Sequence, residues 1–239
     1  MRHEVLYVVI PAYNEADNIR SVINAWNDIV TITCEGGGQI LVVDDGSKDD
    51  TFRILQALAD EIPSLIPITK PNSGHGPTLL YGYKYALEHG ADYVFQTDSD
   101  GQTLPEEFGK FWELRHTHDA IIGSRPNRED GRARKLVERV VCLMLRIIFG
   151  VKVPDANAPF RLMKAGLLKK YLHRIPKDFN IPNVLLTAYF SYFRENIKFV
   201  DITFRSRQGG SNSINLWKIF RIGCRALRDF VSLRRNINA

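Results

Sequence analysis

The stretch DYVFQTDSDGQTLPEEF, residues 92–108, sets an apolar run directly against two aspartates one residue apart. Tyr93, Val94 and Phe95 are apolar without alternation, the pattern of a strand covered on both faces, as in a parallel sheet. A helical pattern follows, with Pro105 in its first turn. If the chain stays extended past the strand, Asp98, Asp100 and Gln102 point to one side, because strand side chains alternate with period two. Two carboxylates this close repel unless something positive lies between them. A pair of carboxylates with an amide suits a hard divalent ion, Mg²⁺ or Mn²⁺, and leaves coordination positions open for phosphate oxygens.

The same strand-then-helix unit repeats on both sides. LYVVI (6–10) reads as a buried strand and EADNIRSVINAWNDIV (15–30) as a helix. After the break at Gly36–Gly38, QILVVDD (39–45) is a second strand, and DDTFRILQALADEI (49–62) a helix for which Ser47 is the expected N-cap. LIPITK, a helix from GPTLLYGYKYALEHG closed by Gly90, and AIIGS (120–124) complete the series. This order predicts an α/β chain with a doubly wound, mostly parallel sheet. Further on, ARKLVERVVCLMLRIIFG reads as a helix ending at Gly150, VPDANAPFRLMK as a loop with a short strand, IPNVLLTAYFSYF as a helix and IKFVDITFRSR as an exposed strand. A last helix is expected after QGGSNS, with Leu216, Phe220, Leu227 and Phe230 on one face and Lys218, Arg221, Arg225 and Arg228 on the other.

The chain has 239 residues, 44% of them hydrophobic and 25% charged, enough for a full core. Its net charge of +5 is mild for a nucleic-acid binder but compatible with anionic ligands or an anionic membrane surface. Cys34, Cys142 and Cys224 are scattered, with neither metal-ligand spacing nor a disulfide framework, so a reducing cytoplasm is expected. No run of about 18 apolar residues exists.

Polar residues gather where the strands end, which is where ligands bind in such sheets. The first strand ends in PAYNE with Tyr13 and Glu15, the second in DDGS with Asp44 and Asp45, the fourth in TDSDGQ, and the fifth in GSR with Arg125. No phosphate-cradling loop of the P-loop type is present, and NSGHGP (72–77) does not follow the first strand, so the dinucleotide fingerprint fails. Gly74 and Gly76 read as a close approach of backbone or as a turn before a helix.

VVIPAYNEADNI, ILVVDDGSKDDT, NSGHGPTLLYGYKYA, DYVFQTDSDGQTLPEEF and AIIGSR stand in the order and spacing of family-2 glycosyltransferases, which the chain resembles over residues 5–125. NAPFRLMKAGLL and ITFRSRQGGSNSIN further resemble dolichol-phosphate mannose synthases and bacterial polyprenyl-phosphate glycosyltransferases. The resemblance implies a GT-A fold with a C-terminal helical elaboration. It divides into a nucleotide-sugar half at 1–125, an acceptor half at 126–210 and an amphipathic basic helix at 211–239. It implies that Pro11, Tyr13, Glu15, Asp44 and Asp98 hold the nucleotide, and that Asp98, Asp100 and Gln102 bind Mg²⁺ or Mn²⁺. Arg125, Arg134 and Arg207 would face phosphates and acceptor, with Asp100 and Arg207 in catalytic roles. The chain departs from the pattern at Gly101, where Leu is frequent, and at GGSNS, which lacks the family's lysine after the glycine.

The expected activity is inverting transfer of a sugar from a UDP- or GDP-sugar to an acceptor. A saccharide hydroxyl would need a carboxylate base, for which Asp155 is the candidate. A polyprenyl monophosphate needs none, since its second pKa is about 6, and it needs cations instead. The basic stretch RPNREDGRARKLVER (125–139) favours the phosphate. The amphipathic last helix suits either an anionic lipid surface or packing on its own domain or a partner subunit, and the expected location is cytoplasmic, peripheral at the inner face of a membrane. Other readings fare less well. A nucleotidyltransferase would not carry the acidic PAYNEADN after its first strand. Nucleic-acid binding would call for aromatics among Arg125–Arg139, which has none. A mere nucleotide-sugar-binding module would have no need to keep Asp98, Asp100 and Gln102. An oligomer is compatible with all of this.

Overall fold

The computed structural model describes residues 4–34, 37–127, 132–206, 230, 231 and 234. The helix expected at 211–239, Arg207 and Cys224 lie outside the described residues, apart from 230, 231 and 234.

The elements run β1 (Leu6–Ala12), α1 (Ile19–Thr33), β2 (Gly38–Asp44), α2 (Thr51–Glu61), β3 (Leu65–Thr69), α3 (His75–Glu88) and β4 (Tyr93–Gln96). A 3₁₀ turn (Pro105–Glu107) leads into α4 (Phe108–Glu113), then β5 (Ala120–Ser124) and α5 (Arg132–Phe149). The chain continues through β6 (Arg161–Lys164), α6 (Ala165–Leu172), α7 (Pro182–Tyr192) and β7 (Ile197–Asp201). Seven strands form one sheet in the order β3-β2-β1-β4-β6-β5-β7. All pairings are parallel except those of β6, which runs antiparallel between β4 and β5.

The apolar runs are explained by burial on both faces. In β1, Leu6, Val8 and Ile10 pack with Ile19, Ile23 and Trp26 of α1, while Val9 packs with Leu79 and Tyr83 of α3. In β2, Ile40 and Val42 go to the first layer, and Leu41 and Val43 to the second. Phe95 of β4 is the centre of an aromatic cluster. Its ring centroid lies 4.9 Å from Phe108, 4.7 Å from Phe160 and 5.2 Å from Trp26. That packing fixes the end of β4, and with it the turn carrying the aspartates. At the sheet edges burial is partial: β3, which contains the edge-tolerated Pro67, is fully buried only at Leu65, and β7 has half-buried and exposed positions only.

One local expectation is revised. Ser47 does not cap α2. Asp50 occupies the N-cap position, while the Ser47 hydroxyl donates to Asp44 and accepts from the Asn14 amide. Helix α6, AGLLKKYL, goes unread in the sequence because eight residues barely exceed two turns. The short strand expected in NAPFRLMK is present and lies between β4 and β5.

Gly76 allows a close approach. A Cβ there would stand 2.1 Å from the Phe179 carbonyl oxygen and 2.6 Å from Asn180 Cα, so α3 could not lie against the 176–180 loop. Gly76→Ala should cost about 1–3 kcal/mol through overpacking, lowering the melting temperature by roughly 3–10 °C. Gly109→Ala, where a Cβ meets nothing within 4 Å, should be near neutral in the same thermal melt.

Candidate active site

The loops leaving β1 and β2 are sewn together by side-chain acceptors. The Glu15 amide donates to Thr51 Oγ1 at 2.8 Å, the Ala16 amide to Asp49 at 3.1 Å, and the Lys48 amide to Asn14 Oδ1 at 2.8 Å. Asn14 takes a left-handed conformation, φ 54°, to turn the chain there, as asparagine tolerates. Asp45 anchors a third loop. Its carboxylate pairs with Lys70 and accepts the amides of Ser73 at 2.9 Å and Gly74 at 2.8 Å. Burial alone would raise the Asp45 carboxyl, but the Lys70 ammonium and these amides bring it below its ordinary value. Between these loops and the end of β4 opens a cleft of about 370 Å³. Pro11, Ala12, Tyr13 and Glu15 line it from β1, Asp45 from β2, Asn72, Gly74, His75 and Thr78 from the start of α3, and Asp98, Ser99 and Asp100 from β4.

Behind the aspartates runs a chain of buried polar groups. Tyr83 donates its hydroxyl to Asn183 Oδ1 at 2.8 Å, Asn183 donates to Gln96 Oε1 at 2.9 Å, and Gln96 donates to Asp98 Oδ1 at 3.1 Å. Burial, and then the charge of Asp100, push the Asp98 carboxyl up to about 8, against the lowering pull of Arg125 and Arg161. Arg161 is fully buried. Its guanidinium donates to the carbonyls of Ala158 and Asn183 and to the Thr187 hydroxyl, so it brings a positive charge near Asp98 while bonding to neutral acceptors. Gln102 is buried too. Its amide nitrogen donates to the Arg205 carbonyl at 2.7 Å, and the Arg205 amide donates back to Gln102 O at 2.9 Å. Gln102 is not among the residues that line the cleft. Among the described residues no group of three or more His, Cys, Asp or Glu is arranged to hold a metal.

Two of the expected site residues hold each other instead. Arg125 grips Asp155 with both ends of its guanidinium, Nε to Oδ2 at 2.7 Å and Nη2 to Oδ1 at 2.9 Å, and also reaches Glu138 at 3.2 Å. The Phe204 ring lies 4.9 Å from the Arg125 guanidinium carbon. Burial would raise the Asp155 carboxyl, but the hydrogen bonds and charge of Arg125 hold it below the ordinary range, while burial and Asp155 raise Glu138. This corrects two expectations. Asp155 is buried and chelated, hence unsuited to act as a base. Arg125 is committed to carboxylates and is absent from the cleft lining, so its influence on Asp98 is exerted through space.

The structure brings Pro11, Tyr13, Glu15, Asp98 and Asp100 together in one cleft. Asp44 is not among the lining residues. It is buried and accepts from Ser47 and from Thr69 Oγ1 at 2.7 Å, and its neighbour Asp45 takes the place in the cleft. Arg134 stands in the first turn of α5, and Arg207 lies just past the last described residue of its segment. Gln96, Asn183 and Tyr83 were unread. The available signal was polar side chains inside apolar runs, as in YVFQ and PNVLL.

A doubly wound sheet with an acidic cleft beyond the ends of its parallel strands is the GT-A arrangement of a glycosyltransferase. The chain belongs to glycosyl transferase family 2, whose model matches residues 7–172. It is 29% identical over 216 residues to an undecaprenyl-phosphate mannosyltransferase of Micrococcus luteus, covering 87% of this chain and 86% of the relative. It is 30% identical over 189 residues to a UDP-N-acetylglucosamine–dolichyl-phosphate N-acetylglucosaminyltransferase of Methanococcus voltae, covering 71% and 73%. The fold is shared with glucosyl-3-phosphoglycerate synthase from Mycobacterium tuberculosis, crystallised with Mn²⁺, UDP and phosphoglyceric acid. The TM-score is 0.69 at 20% identity, over 97% of this chain and 78% of that one.

Asp155→Ala would take from the buried Arg125 guanidinium its two-pronged carboxylate partner, and should cost about 3–5 kcal/mol in a urea melt at neutral pH. Because the folded Asp155 carboxyl is held low, its stabilisation is complete above the unfolded value of about 3.9. It is lost as pH falls through the lower folded value, so wild type and variant should converge in acid.

Proposed function

We propose that this glycosyltransferase moves a sugar from a uridine or guanosine diphosphate sugar to a polyprenyl monophosphate, with inversion at the anomeric carbon. The observation that carries this reading is the clamp on Asp155. A sugar-hydroxyl acceptor needs a base within reach, and the carboxylate best placed in sequence to serve is buried in the grip of Arg125. A phosphate acceptor arrives already ionised. The polyprenyl-phosphate relatives support the same acceptor, and on this reading the chain works as a peripheral protein at the inner face of a membrane.

The donor site follows from the cleft. Tyr13, exposed at its mouth, offers a ring for the base, and Pro11, Glu15 and Asp45 border the nucleoside. Asp98, Asp100 and Gln102 would hold Mg²⁺ or Mn²⁺. The two aspartates fit such an ion: the crowded negative charge that raises Asp98 is what a cation would offset. When bound, the ion neutralises charge developing on the leaving diphosphate. Arg134 and Arg207 would face the phosphates with charge-assisted hydrogen bonds. One oxygen of the acceptor phosphate forms the new bond to the anomeric carbon as the bond to the diphosphate breaks, and the nucleoside diphosphate departs.

The test is transfer of labelled sugar from UDP- and GDP-sugars to a short-chain polyprenyl phosphate in the presence of Mn²⁺. Asp100→Ala should lower it about a thousandfold or more, several kcal/mol of barrier, with an unchanged melting temperature. Failure of every uridine and guanosine diphosphate to raise the melting temperature in the presence of Mn²⁺ would sink the reading. The raised Asp98 carboxyl gives a second readout. A proton must leave before the ion binds, so Mn²⁺ affinity followed by electron paramagnetic resonance should climb up to about tenfold per pH unit below the Asp98 value of about 8, and level off above it.

A further inference from the structure

We infer that the outward face of α5 is the surface by which this chain docks on an anionic lipid bilayer. The inference deepens the lipid-acceptor reading, on which it rests. Leu136, Val140, Leu143 and Ile147 are 62%, 48%, 55% and 75% exposed. They step by four, three and four residues, so they form one stripe about 16 Å long at 1.5 Å per residue. Exposed apolar side chains in single positions need no explanation, but four in register on one helix do.

The charges around the stripe say what covers it. Lys135, Arg139 and Arg146 are exposed along α5. The helix's one acid with a described side chain, Glu138, turns inward to Arg125 and the Ala156 amide. The described outer face therefore has cations and no anion, the signature of a helix lying in the headgroup region of anionic lipid. A second copy docked by the same face about a two-fold axis would set these cations near their own copies. The described C-terminal residues pack elsewhere: Phe230 against the inward-facing Phe149 and against Phe179, and Arg234 over Tyr192. The inner residues Leu145 and Phe149 already fill the core, so the stripe is not the helix's packing face. No helix among the described residues is long and apolar enough to cross a membrane, so α5 lies on the bilayer rather than through it. Helix α5 is tied to the end of β5 through the Glu138–Arg125 pair, and Arg125 acts through space on Asp98 of the cleft.

The experiment is co-sedimentation of the full chain with phosphatidylcholine vesicles, with and without phosphatidylglycerol and free of any polyprenyl phosphate. Beside it runs transfer to a water-soluble short-chain acceptor and to a long-chain acceptor in the same vesicles. Wild type should pellet with the anionic vesicles, less so in high salt. Leu143→Glu/Ile147→Glu should lower partitioning about tenfold or more, and should lose transfer to the long-chain acceptor while keeping transfer to the short one. Arg139→Glu/Arg146→Glu should weaken binding to anionic vesicles selectively. Equal partitioning of wild type and the apolar-face variant, or no vesicle binding by wild type, overturns the inference, as does a dimer in wild type that the variant abolishes. Vesicle binding without transfer to either acceptor leaves the surface standing and removes the lipid-acceptor reading. Transfer without vesicle binding does the reverse.

Discussion

Two carboxylates at the end of a buried strand repel, and the surroundings of Asp98 and Asp100 are what hold them in place. Strand β4 is locked by the rings packed on Phe95, so its last residues cannot swing apart to relieve the repulsion. Gln96 supplies a neutral donor to Asp98, and is itself oriented by Asn183 and Tyr83 from α7 and α3. Behind them Arg125 and Arg161 contribute positive charge through space. The pair is therefore compensated in part, and its remaining charge faces the cleft.

Arg161 shows how this is done at little cost in specificity. A guanidinium bonded directly to Asp98 would have taken its lone pairs. Bound instead to the Ala158 and Asn183 carbonyls, it lends potential and leaves the carboxylate oxygens to other partners. Arg125 works in the same way, anchored on Asp155 and Glu138.

The parallel core was legible because strands covered on both sides read as unbroken apolar runs, and LYVVI, ILVVD and AIIGS all do. The cleft was legible because Tyr13, Glu15, Asp98 and Asp100 follow those runs directly. What stayed hidden was pairing at a distance. Arg125 and Asp155 stand thirty residues apart, and in a sequence each reads as a group awaiting a ligand. Asp44 and Asp45 are adjacent, and only the geometry of the turn decides which faces inward to Ser47 and Thr69 and which faces the cleft. Helix α6 was lost to its brevity, and the placement of β6 to the fact that four residues cannot announce their neighbours.

The placement of β6 also governs the order in which the molecule can be assembled. Gln96 and Ile122 both pair with Arg161, so β4 and β5 are joined only through a strand made some forty residues after β5 begins. On the ribosome, β1 to β4 can associate as they emerge, but β5 has no lasting partner until β6 and then β7 arrive. The sheet closes from its middle outward and late, a non-local step of the kind that slows folding. The buried Arg161 rides in on that closing strand, so the positive charge reaches Asp98 at the moment the two parts of the chain become one sheet.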